Sequence, residues 1–465
     1  METPSEKNDS HSPTQALEVP ENALSASSDN SACAAVPDSE GQARIAASEP
    51  SQDRPLDLKN PWAPLLIPMY RSFWLAGLIS NMGTWLHETG AVWLMTSLEP
   101  RPEMVSAVRT CMTIPVFCLA LPAGVWADRF DRRTWLLSTQ MVLLLLAALM
   151  AGLAALNLIT PVVLLVLTAA MGIGMILNQP AWQALTPELV PPALVPSAVS
   201  VGSISFNLAR SLGPALAGVL ISRFDVWVVF ALNAISFLGV VCVLQAWKPT
   251  VHETPLKSNK KSAPRFFDEL RKGIFIVKNS REIKHTMMRV FVFAIPATII
   301  WSLLSLVVTE KLGYAEKGFG ICLGLLGVGA VAGAWFLPWL RTKLSSEYIV
   351  LIAQIFFAAV CIWIGINDSP VRVLPSLLLM GTCWMATMTT LNATAQVYLP
   401  RKFRARGMAT YIMCFAFGMA IGSLTWGWLA YGIGISGAFV AAGITMIFLS
   451  LAMHRFELGD IVKQG

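Results

Sequence analysis

Long apolar stretches separated by short polar connections run through the chain from about residue 60 to its end. Most of these stretches hold about 20 residues or slightly more, which is the length of a helix that crosses the hydrocarbon core of a bilayer. We therefore predict an all-α membrane protein with twelve transmembrane helices. The predicted spans are 71–97, 104–127, 134–156, 160–181, 196–221, 226–247, 287–309, 318–340, 346–366, 371–398, 407–430 and 433–454.

One long polar segment divides the twelve spans into two groups of six. Within this segment, apolar residues recur at helical spacing from Phe267 to Val277, which predicts an amphipathic helix at the inner membrane surface. The predicted domains are a tail at 1–59, a six-helix bundle at 60–247, a cytoplasmic linker at 248–284, a second six-helix bundle at 285–456 and a tail at 457–465.

The two groups of spans match each other when the sequence is shifted by 209 residues. The shift places Gly124 on Gly333 in one connection, and Gly218 on Gly427 in a later span. Several matches at one shift indicate that a six-helix unit was duplicated. Transporters built from such parallel repeats have their substrate site near the bilayer midplane, between the halves.

Composition agrees with a membrane protein. The chain is 55% hydrophobic and only 13% charged, whereas soluble globular proteins carry about 25% charged residues. Residues 1–59 differ from the rest, because they hold eleven acidic and four basic residues and almost no aromatic ones. We predict that this acidic tail is disordered. We expect a solvated cytoplasmic extension, with partner binding as the open alternative.

The distribution of basic residues predicts the orientation of the chain. The two tails and the connections on one side hold 26 of the 34 Lys and Arg residues, and the opposite connections hold five. Basic residues are retained on the cytoplasmic side of a membrane. We therefore predict that both termini are cytoplasmic.

Several classes of function lack their sequence signatures. The chain has no phosphate-binding G-x-x-x-x-G-K-[ST] loop, no H-E-x-x-H motif and no G-x-S-x-G motif. Its eight cysteines are scattered, mostly within apolar runs. The sequence contains no soluble domain with a basic face, which is the feature that would indicate nucleic-acid binding. We expect neither an enzyme nor a protein that binds a metal, a cofactor or nucleic acid.

A dense cluster of charges lies between the second and third predicted spans. The sequence from Gly124 to Arg133 is GVWADRFDRR, with five charges in its last six residues. So many charges cannot lie in hydrocarbon, so this segment must be a short loop at the membrane face. It resembles the loop between the second and third spans of major facilitator superfamily transporters, G-x-x-x-D-R-x-G-R-R. The chain departs from that pattern at Asp131, where the family usually has Gly.

Four further segments resemble the bacterial enterobactin-exporter-like branch of that superfamily, the transmembrane secretion effectors. They are SNMGTW at 80–85, WLMTSL at 93–98, PELVP at 187–191 and NLARSLGPALAG at 207–218. The resemblance implies secondary export of a small-molecule substrate, coupled to protons, by alternating access. It also implies a monomer in the bacterial cytoplasmic (inner) membrane.

The resemblance implies that the charged loop acts as a conformational latch. Its residues are Gly124, Asp128, Arg129, Arg132 and Arg133. Gly124 would let two helices approach closely, and Asp128 would accept hydrogen bonds at a helix N-terminus. The arginines would pair across the interface between the halves only when the inner side is closed. The alternative is that these charges only fix the topology.

The fifth predicted span resembles the fifth-span motif of antiporters, with Ala in place of two usual glycines. The matching residues are Arg210, Gly213, Pro214 and Gly218. Small residues at this spacing create a flat face for tight helix packing, and a proline bends the helix. The resemblance implies a seal that limits leak through an exporter. Ordinary small-residue packing is the alternative.

Three charges fall at membrane depth, namely Glu88, Arg109 and Arg210. Each would be costly facing lipid, so each should face a cavity or a partner. Glu88 could pair with either arginine. We identify Glu88 as the candidate proton carrier. A carboxylate beside an arginine stays ionised, whereas moving the arginine away in a drier conformation favours protonation of the carboxylate. A structural ion pair is the alternative, and His87 should face another side of the helix.

Polar and aromatic residues within the spans are candidates for the substrate cavity, since amides orient a ligand and tryptophan offers stacking area. They are Asn81, Trp85, Asn178, Gln179, Asn207, Trp301, Trp384, Asn392 and Gln396. Asn178 and Asn392 are favoured because they occupy related places in the two halves.

The sequence favours a proton-coupled exporter of an amphipathic small molecule, such as a siderophore or a drug-like compound. Uptake or flipping of a nutrient or lipid-like solute on the same fold is one alternative. A membrane sensor or scaffold that uses the acidic tail is another. Loss of function on removal of residues 1–59 would indicate a scaffold, whereas a transporter should largely retain its activity.

Overall fold

The computed structural model describes residues 60–247, 280–399, 404–456 and 458. The predicted acidic tail, the predicted amphipathic helix of the linker and the chain beyond residue 458 lie outside the described residues. So do the side chains of Leu121, Val125, Asp128, Arg129, Asn207, Ser211, Glu316 and residues 404–406.

Twelve long helices form the described part of the chain, which confirms the predicted fold class. The first ten are Pro68–Leu98 (α1), Pro102–Arg129 (α2), Arg132–Ala155 (α3), Pro161–Leu189 (α4), Val195–Phe224 (α5), Trp227–Ala246 (α6), Arg281–Lys311 (α7), Glu316–Arg341 (α8), Ser346–Ile366 (α9) and Pro370–Tyr398 (α10). The last helical run is Arg404–His454, and Gly434, at φ 79°, divides it into α11 (404–433) and α12 (435–454).

Among the described residues, ten stretches are long and apolar enough to cross a membrane, and one of them spans α11 and α12 together. The remaining helix is α1, which contains Arg71, His87 and Glu88. Some helices extend beyond the predicted spans. Thus α4 continues to Leu189 and α7 begins at Arg281. The apolar pattern marks only the part of a helix in hydrocarbon, whereas the helix itself can continue into the polar region.

Proline sets the start of several helices. Pro68, Pro102, Pro161 and Pro370 are the first residues of α1, α2, α4 and α10. Proline is favourable at this position, because its fixed φ suits a helix and its missing N–H would have no intrahelical partner there. Proline therefore marks the first residue of four of the twelve helices.

The helices pack as two groups of six. Within the first group α2 packs on α4, and within the second group α8 packs on α10. The two largest interfaces between the groups are α2 against α11 and α5 against α8. Because α8 is the counterpart of α2 and α11 is the counterpart of α5, the same two-fold rotation relates the two interfaces, as expected for parallel repeats.

The shift of 209 residues is visible in the structure. Thr96 Oγ1 donates a hydrogen bond to Ser305 Oγ at 2.7 Å, and these positions differ by 209. Residues on a two-fold axis meet their own counterparts, so this bond lies on the axis between the halves. Asp225 and Gly434 are also 209 apart, and both have positive φ, 90° and 79°, with ψ of 164° and 163°.

The two halves are closed against each other at one end. We call the face that carries residues 60 and 458 the terminal face and the other the opposite face. Near the opposite face, Trp93 stacks on Phe319 at 5.7 Å, and Ser423 Oγ donates to the Ser106 carbonyl oxygen at 2.6 Å. Toward the terminal face, α4 and α10 share no packed interface within the described residues. The crevice between the halves therefore opens to the terminal face.

Glycines allow this closure. A Cβ added to Gly320 of α8 would lie 2.6 Å from the Cα atom of Gly218 on α5. A Cβ added to Gly427 of α11 would collide with the Ser106 hydroxyl on α2. Both contacts join the halves, so the present conformation requires small residues at the seam.

A buried arginine ties three helices together at the terminal face. The Arg289 guanidinium, on α7, donates to Glu347 Oε1 of α9 at 2.5 Å and to the carbonyl oxygens of Met453 and Phe456 at 2.7 and 2.8 Å. Arg289 is 4% exposed. Removal of one partner from such a buried pair typically costs about 3–5 kcal/mol, so this cluster holds the second half together as a unit.

We predict that Gly320→Val will shift the protein away from the conformation closed at the opposite face, because the added side chain has no room against Gly218. The distance between spin labels at Arg101→Cys and Lys317→Cys, one on each half, is measured by double electron–electron resonance. We expect this distance to be longer in the variant.

Gly202→Val on α5 is the matched control, because a Cβ at Gly202 meets nothing within 4 Å among the described residues. It should leave the distance between the labels unchanged. An unchanged distance in the Gly320 variant would show that the close contact does not decide the conformation.

Candidate functional site

An ion pair lies at membrane depth between α1 and α2. Arg109 Nη1 is 3.3 Å from Glu88 Oε2, and the two side chains are 13% and 19% exposed. Of the two partners considered for Glu88, the structure selects Arg109. A charge-assisted bond in such a sheltered place is stronger than one in water. The pair therefore removes the cost of placing each charge alone in the membrane.

An aromatic ring from the other half covers this pair. The guanidinium carbon of Arg109 lies 5.9 Å from the ring centroid of Trp301, on α7, which is a cation–π distance. Glu88, Arg109 and Trp301 line one cleft, together with Trp85 and Thr89. We call this the Glu88 cleft. Its walls come from both halves, so it lies at the interface between them.

A second cleft adjoins the first and contains Arg210. We call it the Arg210 cleft; Trp301, Trp384 and Phe357 form its aromatic wall. The two clefts share Pro214, Ile300, Trp301 and Leu323 in their linings. Arg210 Nη2 lies 3.6 Å from the sulfur of Met385 on α10.

The structure brings three of the nine cavity candidates to these clefts. Trp85, Trp301 and Trp384 line them, and the rings of Trp301 and Trp384 meet edge to face with centroids 5.3 Å apart. Their aromatic surface would contact any molecule that enters. Met385 and Phe357 belong to the same region, but sequence reasoning missed them because single apolar residues in a span do not differ from packing residues.

Asn178 is a cavity candidate whose described hydrogen bonds lie within the first half. It does not line either cleft, because its Oδ1 accepts hydrogen bonds from Thr139 Oγ1 at 3.1 Å and from Gln140 Nε2 at 3.3 Å. These bonds join α4 to α3 within the first half, so Asn178 satisfies an interhelical contact. The sequence placed it in the cavity by analogy between halves, which does not determine the helix face.

The other amide candidates lie outside the two clefts. Gln396 Nε2 donates to Asn392 Oδ1 one turn earlier on α10. Gln179 is exposed, and Asn81 is half-buried on α1. The Asn207 side chain lies outside the description. His87 also faces away from the site, as expected, because it is buried against Phe230 of α6 at a ring distance of 4.8 Å.

The segment predicted as a charged loop is mostly helical, because α2 continues to Arg129 and α3 begins at Arg132. Its described side-chain contacts lie within the first half. Arg132 pairs with Glu188 of α4 and donates to the Ala184 carbonyl oxygen at 3.1 Å. Arg133 donates to the carbonyl oxygens of Leu244 and Gln245, at the end of α6. Helix C-termini attract cations through their free carbonyl groups. In this conformation, which is open at the terminal face, Arg132 thus makes its described contacts within its own half, and its pairing across the halves on closure stays a prediction.

The roles predicted for the other latch residues stay predictions. A Cβ at Gly124 would meet nothing within 4 Å among the described residues, so no close helix approach occurs there in this conformation. The side chains of Asp128 and Arg129 lie outside the description. Asp131, which replaces the usual Gly, caps α3, because its Oδ2 accepts from Thr134 N at 2.8 Å and from Thr134 Oγ1 at 2.7 Å.

The small residues of α5 lie in two tight contacts. A Cβ at Gly213 would be 2.5 Å from the Cβ of Trp85 on α1, and Gly218 faces Gly320 of α8. Pro214, between them, lines both clefts. The motif thus packs α5 within its own half and across the seam.

A family model described as transmembrane secretion effector matches residues 59–464. The staphyloferrin A transporter of Staphylococcus aureus is 21% identical over 391 residues, covering 83% of this chain and 96% of that protein. An uncharacterised transporter of the same superfamily from Bacillus subtilis is 23% identical over 393 residues, covering 80% and 89%. Among solved structures, a POT family transporter in complex with a thioalcohol-conjugated peptide superposes with a TM-score of 0.65 at 14% identity. The superposition covers 83% of this chain and 95% of that chain.

We predict that Asp131→Ala will destabilise the protein by about 1 kcal/mol, because α3 loses its N-cap. The two hydrogen bonds from Thr134 lower the pKa of the Asp131 carboxyl below its ordinary value of 3.8. The stabilisation should be complete above that value and lost as the pH falls through the lowered pKa. Unfolding in SDS, monitored by helix content at two pH values, measures both effects.

Asp131→Asn is the matched control, since Asn caps helices as well as Asp does. It should unfold close to the original protein. Equal losses for the Ala and Asn variants would contradict a capping role.

Proposed function

Because the chain belongs to the transmembrane secretion effector family of the major facilitator superfamily, it is a multi-pass membrane transporter of a small molecule, and we propose that it works as a proton-coupled exporter. The proposed substrate is an amphipathic compound such as a siderophore or a drug-like molecule. The family and fold are those of transporters, which confirms that the chain is not an enzyme. The relative named for staphyloferrin A supports the proposed substrate class.

The observation that carries this proposal is the Glu88–Arg109 ion pair beneath Trp301. The pair belongs to the first half, and the ring that covers it belongs to the second. Rocking of the halves moves Trp301 relative to the pair, so the surroundings of Glu88 differ between the two open states. A carboxylate that is ionised beside a guanidinium in one state can take up a proton when the other state changes those surroundings.

The packing of α5 supports export. Gly213 lies against α1 and Gly218 against α8, so the motif seals the wall of the crevice on both sides of Pro214. A tight wall limits leak of protons or substrate down their gradients, which an exporter working against a gradient requires.

We propose that the charged loop acts as a latch in the opposite conformation, closed at the terminal face. Arg132 and Arg133 already fix the start of α3 to α4 and α6. The loop is thereby held at the rim of the crevice. Asp128 and Arg129 precede Arg132 in the same segment, and we propose that their side chains reach the second half when the terminal face closes.

The proposed location is the bacterial cytoplasmic membrane, with both termini in the cytoplasm. The excess of Lys and Arg on the tails and their neighbouring connections supports this orientation. The proposed working unit is a monomer.

We predict that Glu88→Gln will lower uptake driven by a pH gradient at least about tenfold, because the side chain can no longer exchange a proton. The measurement uses inside-out vesicles with an acidified lumen, and the probes are staphyloferrin A and the dye ethidium. Downhill movement of a probe without a pH gradient should persist, since the ion pair is not needed for rocking.

Glu99→Gln is the matched control, because Glu99 forms an ion pair with Arg101 in the connection at the opposite face. It should transport as the original protein does. Unchanged gradient-driven accumulation in the Glu88 variant would exclude Glu88 as the proton carrier. Accumulation of neither probe by the unmodified protein would count against export.

A further inference from the structure

The Glu88 cleft contains two buried hydrogen-bond donors that no described residue satisfies. They are Arg109 Nε on α2 and the indole Nε1 of Trp301 on α7. Both residues line the cleft, and the guanidinium carbon of Arg109 lies 5.9 Å from the ring centroid of Trp301. A buried donor without an acceptor is unfavourable, so a ligand that brings an acceptor would stabilise this site.

The ion pair does not satisfy either donor. Glu88 Oε2 contacts Nη1 of Arg109, and the Nε–H group projects from a different edge of the rigid guanidinium. An oxygen atom that accepts two N–H bonds of about 2.9 Å joins donors up to about 5.8 Å apart. That span is comparable with the distance between the guanidinium and the indole ring of Trp301. One acceptor oxygen can therefore bridge the first half and the second.

The charges of the Glu88 cleft favour a neutral acceptor. Glu88 and Arg109 are the charged side chains in its described lining, and they pair with each other. An anionic oxygen on Arg109 would lie close to the Glu88 carboxylate, and like charges in a sheltered place repel each other. The carbonyl oxygen of an amide, ester or ketone has two lone pairs and brings no charge.

The remaining lining of the cleft is apolar. Trp85 and Phe319 contribute aromatic rings, and Val92, Ile300 and Leu304 contribute aliphatic surface. A pocket with a few convergent polar groups on an apolar wall binds a molecule that combines an apolar body with a well-placed polar atom. The carbonyl group should therefore be attached to an apolar or aromatic body, which the rings can contact.

We propose that the Glu88 cleft binds a neutral carbonyl oxygen of the substrate, through hydrogen bonds donated by Arg109 Nε and Trp301 Nε1. This assignment rests on the proposed function, because it specifies the chemistry of the substrate that the same transporter carries. The two donors belong to different halves, so a bound carbonyl joins the halves in the conformation closed at the opposite face. Arg109 and Trp301 thereby distinguish a carbonyl compound from an analogue of the same shape without an acceptor.

The test compares three probes that share a naphthalene ring and differ in one group. The ketone 2-acetylnaphthalene carries a neutral carbonyl, the alkene 2-isopropenylnaphthalene has the same shape without an acceptor, and 2-naphthoate carries a negative charge. Binding is measured by calorimetry on the full chain in lipid nanodiscs, with empty nanodiscs as the blank. The unmodified protein is expected to bind the ketone at least about tenfold more tightly than either analogue, as for hydrogen bonds from buried donors.

Two variants remove one donor each. Trp301→Phe keeps an aromatic ring and removes the indole N–H, and Arg109→Lys keeps the charge beside Glu88 and removes Nε–H. Each should lower the preference for the ketone over the alkene about threefold, and the double variant should abolish it by weakening the ketone alone. The matched control is Trp428→Phe, which should retain the preference, since Trp428 is an exposed tryptophan on α11 that lines neither cleft.

Several results would overturn the proposal. Equal binding of the ketone and the alkene would show that water alone satisfies the two donors. Tighter binding of 2-naphthoate than of the ketone would contradict a neutral ligand group. No detectable binding of the ketone, or an unchanged preference in both single variants, would contradict the assignment of Arg109 and Trp301 as its donors.

A monodisperse elution profile verifies the folding of each variant, and the single variants keep the test decisive if the double variant does not fold. The experiment separates this inference from proton coupling. Glu88→Gln should retain the preference for the ketone, because it leaves both donors in place. Loss of coupling alone would therefore leave the carbonyl site standing, and loss of the ketone preference alone would leave the coupling standing.

Discussion

The structure depends on a constraint that hydrocarbon imposes on charge. An ionised side chain at membrane depth must find its partner inside the protein, and Glu88 finds Arg109 on the next helix. The pair fixes α1 beside α2 close to the axis on which Thr96 meets Ser305. The buried ion pair thus lies at the interface between the two halves, which is where we propose that proton coupling takes place.

The same constraint made much of the fold predictable from the sequence. Twelve crossings follow from the length of apolar runs, and the duplication follows from matches at a shift of 209 residues. The Glu88–Arg109 pair was one of two options, since no other acidic residue was identified at that depth. Arg289 was open to the same reasoning, because it lies within a predicted span, yet its cluster with Glu347 and the end of α12 was not foreseen.

What the sequence could not determine was which face of a helix each polar residue occupies. Asn178 turned toward α3, where Thr139 and Gln140 satisfy it, and His87 turned toward Phe230. Nor could a sequence indicate the conformation. The charged loop has the composition of a latch, but Arg132 binds Glu188 within its own half because the terminal face is open. Asp131 shows how a departure from a family pattern can serve local structure, here as a helix cap.

The paired joints at Asp225 and Gly434 have a mechanical consequence. We call α5 and α11 the seam helices, because they lie at the interface between the halves. Asp225 joins α5 to the outer helix α6, and Gly434 joins α11 to the outer helix α12, in both cases through a short connection with positive φ. The outer helices present large apolar side chains such as Leu238 and Phe448 on their surfaces. A tilt of either seam helix is therefore passed to its outer neighbour and deforms the surrounding lipid. The thickness of the bilayer would therefore affect the free energy of the conformational change, and to the same extent in both halves.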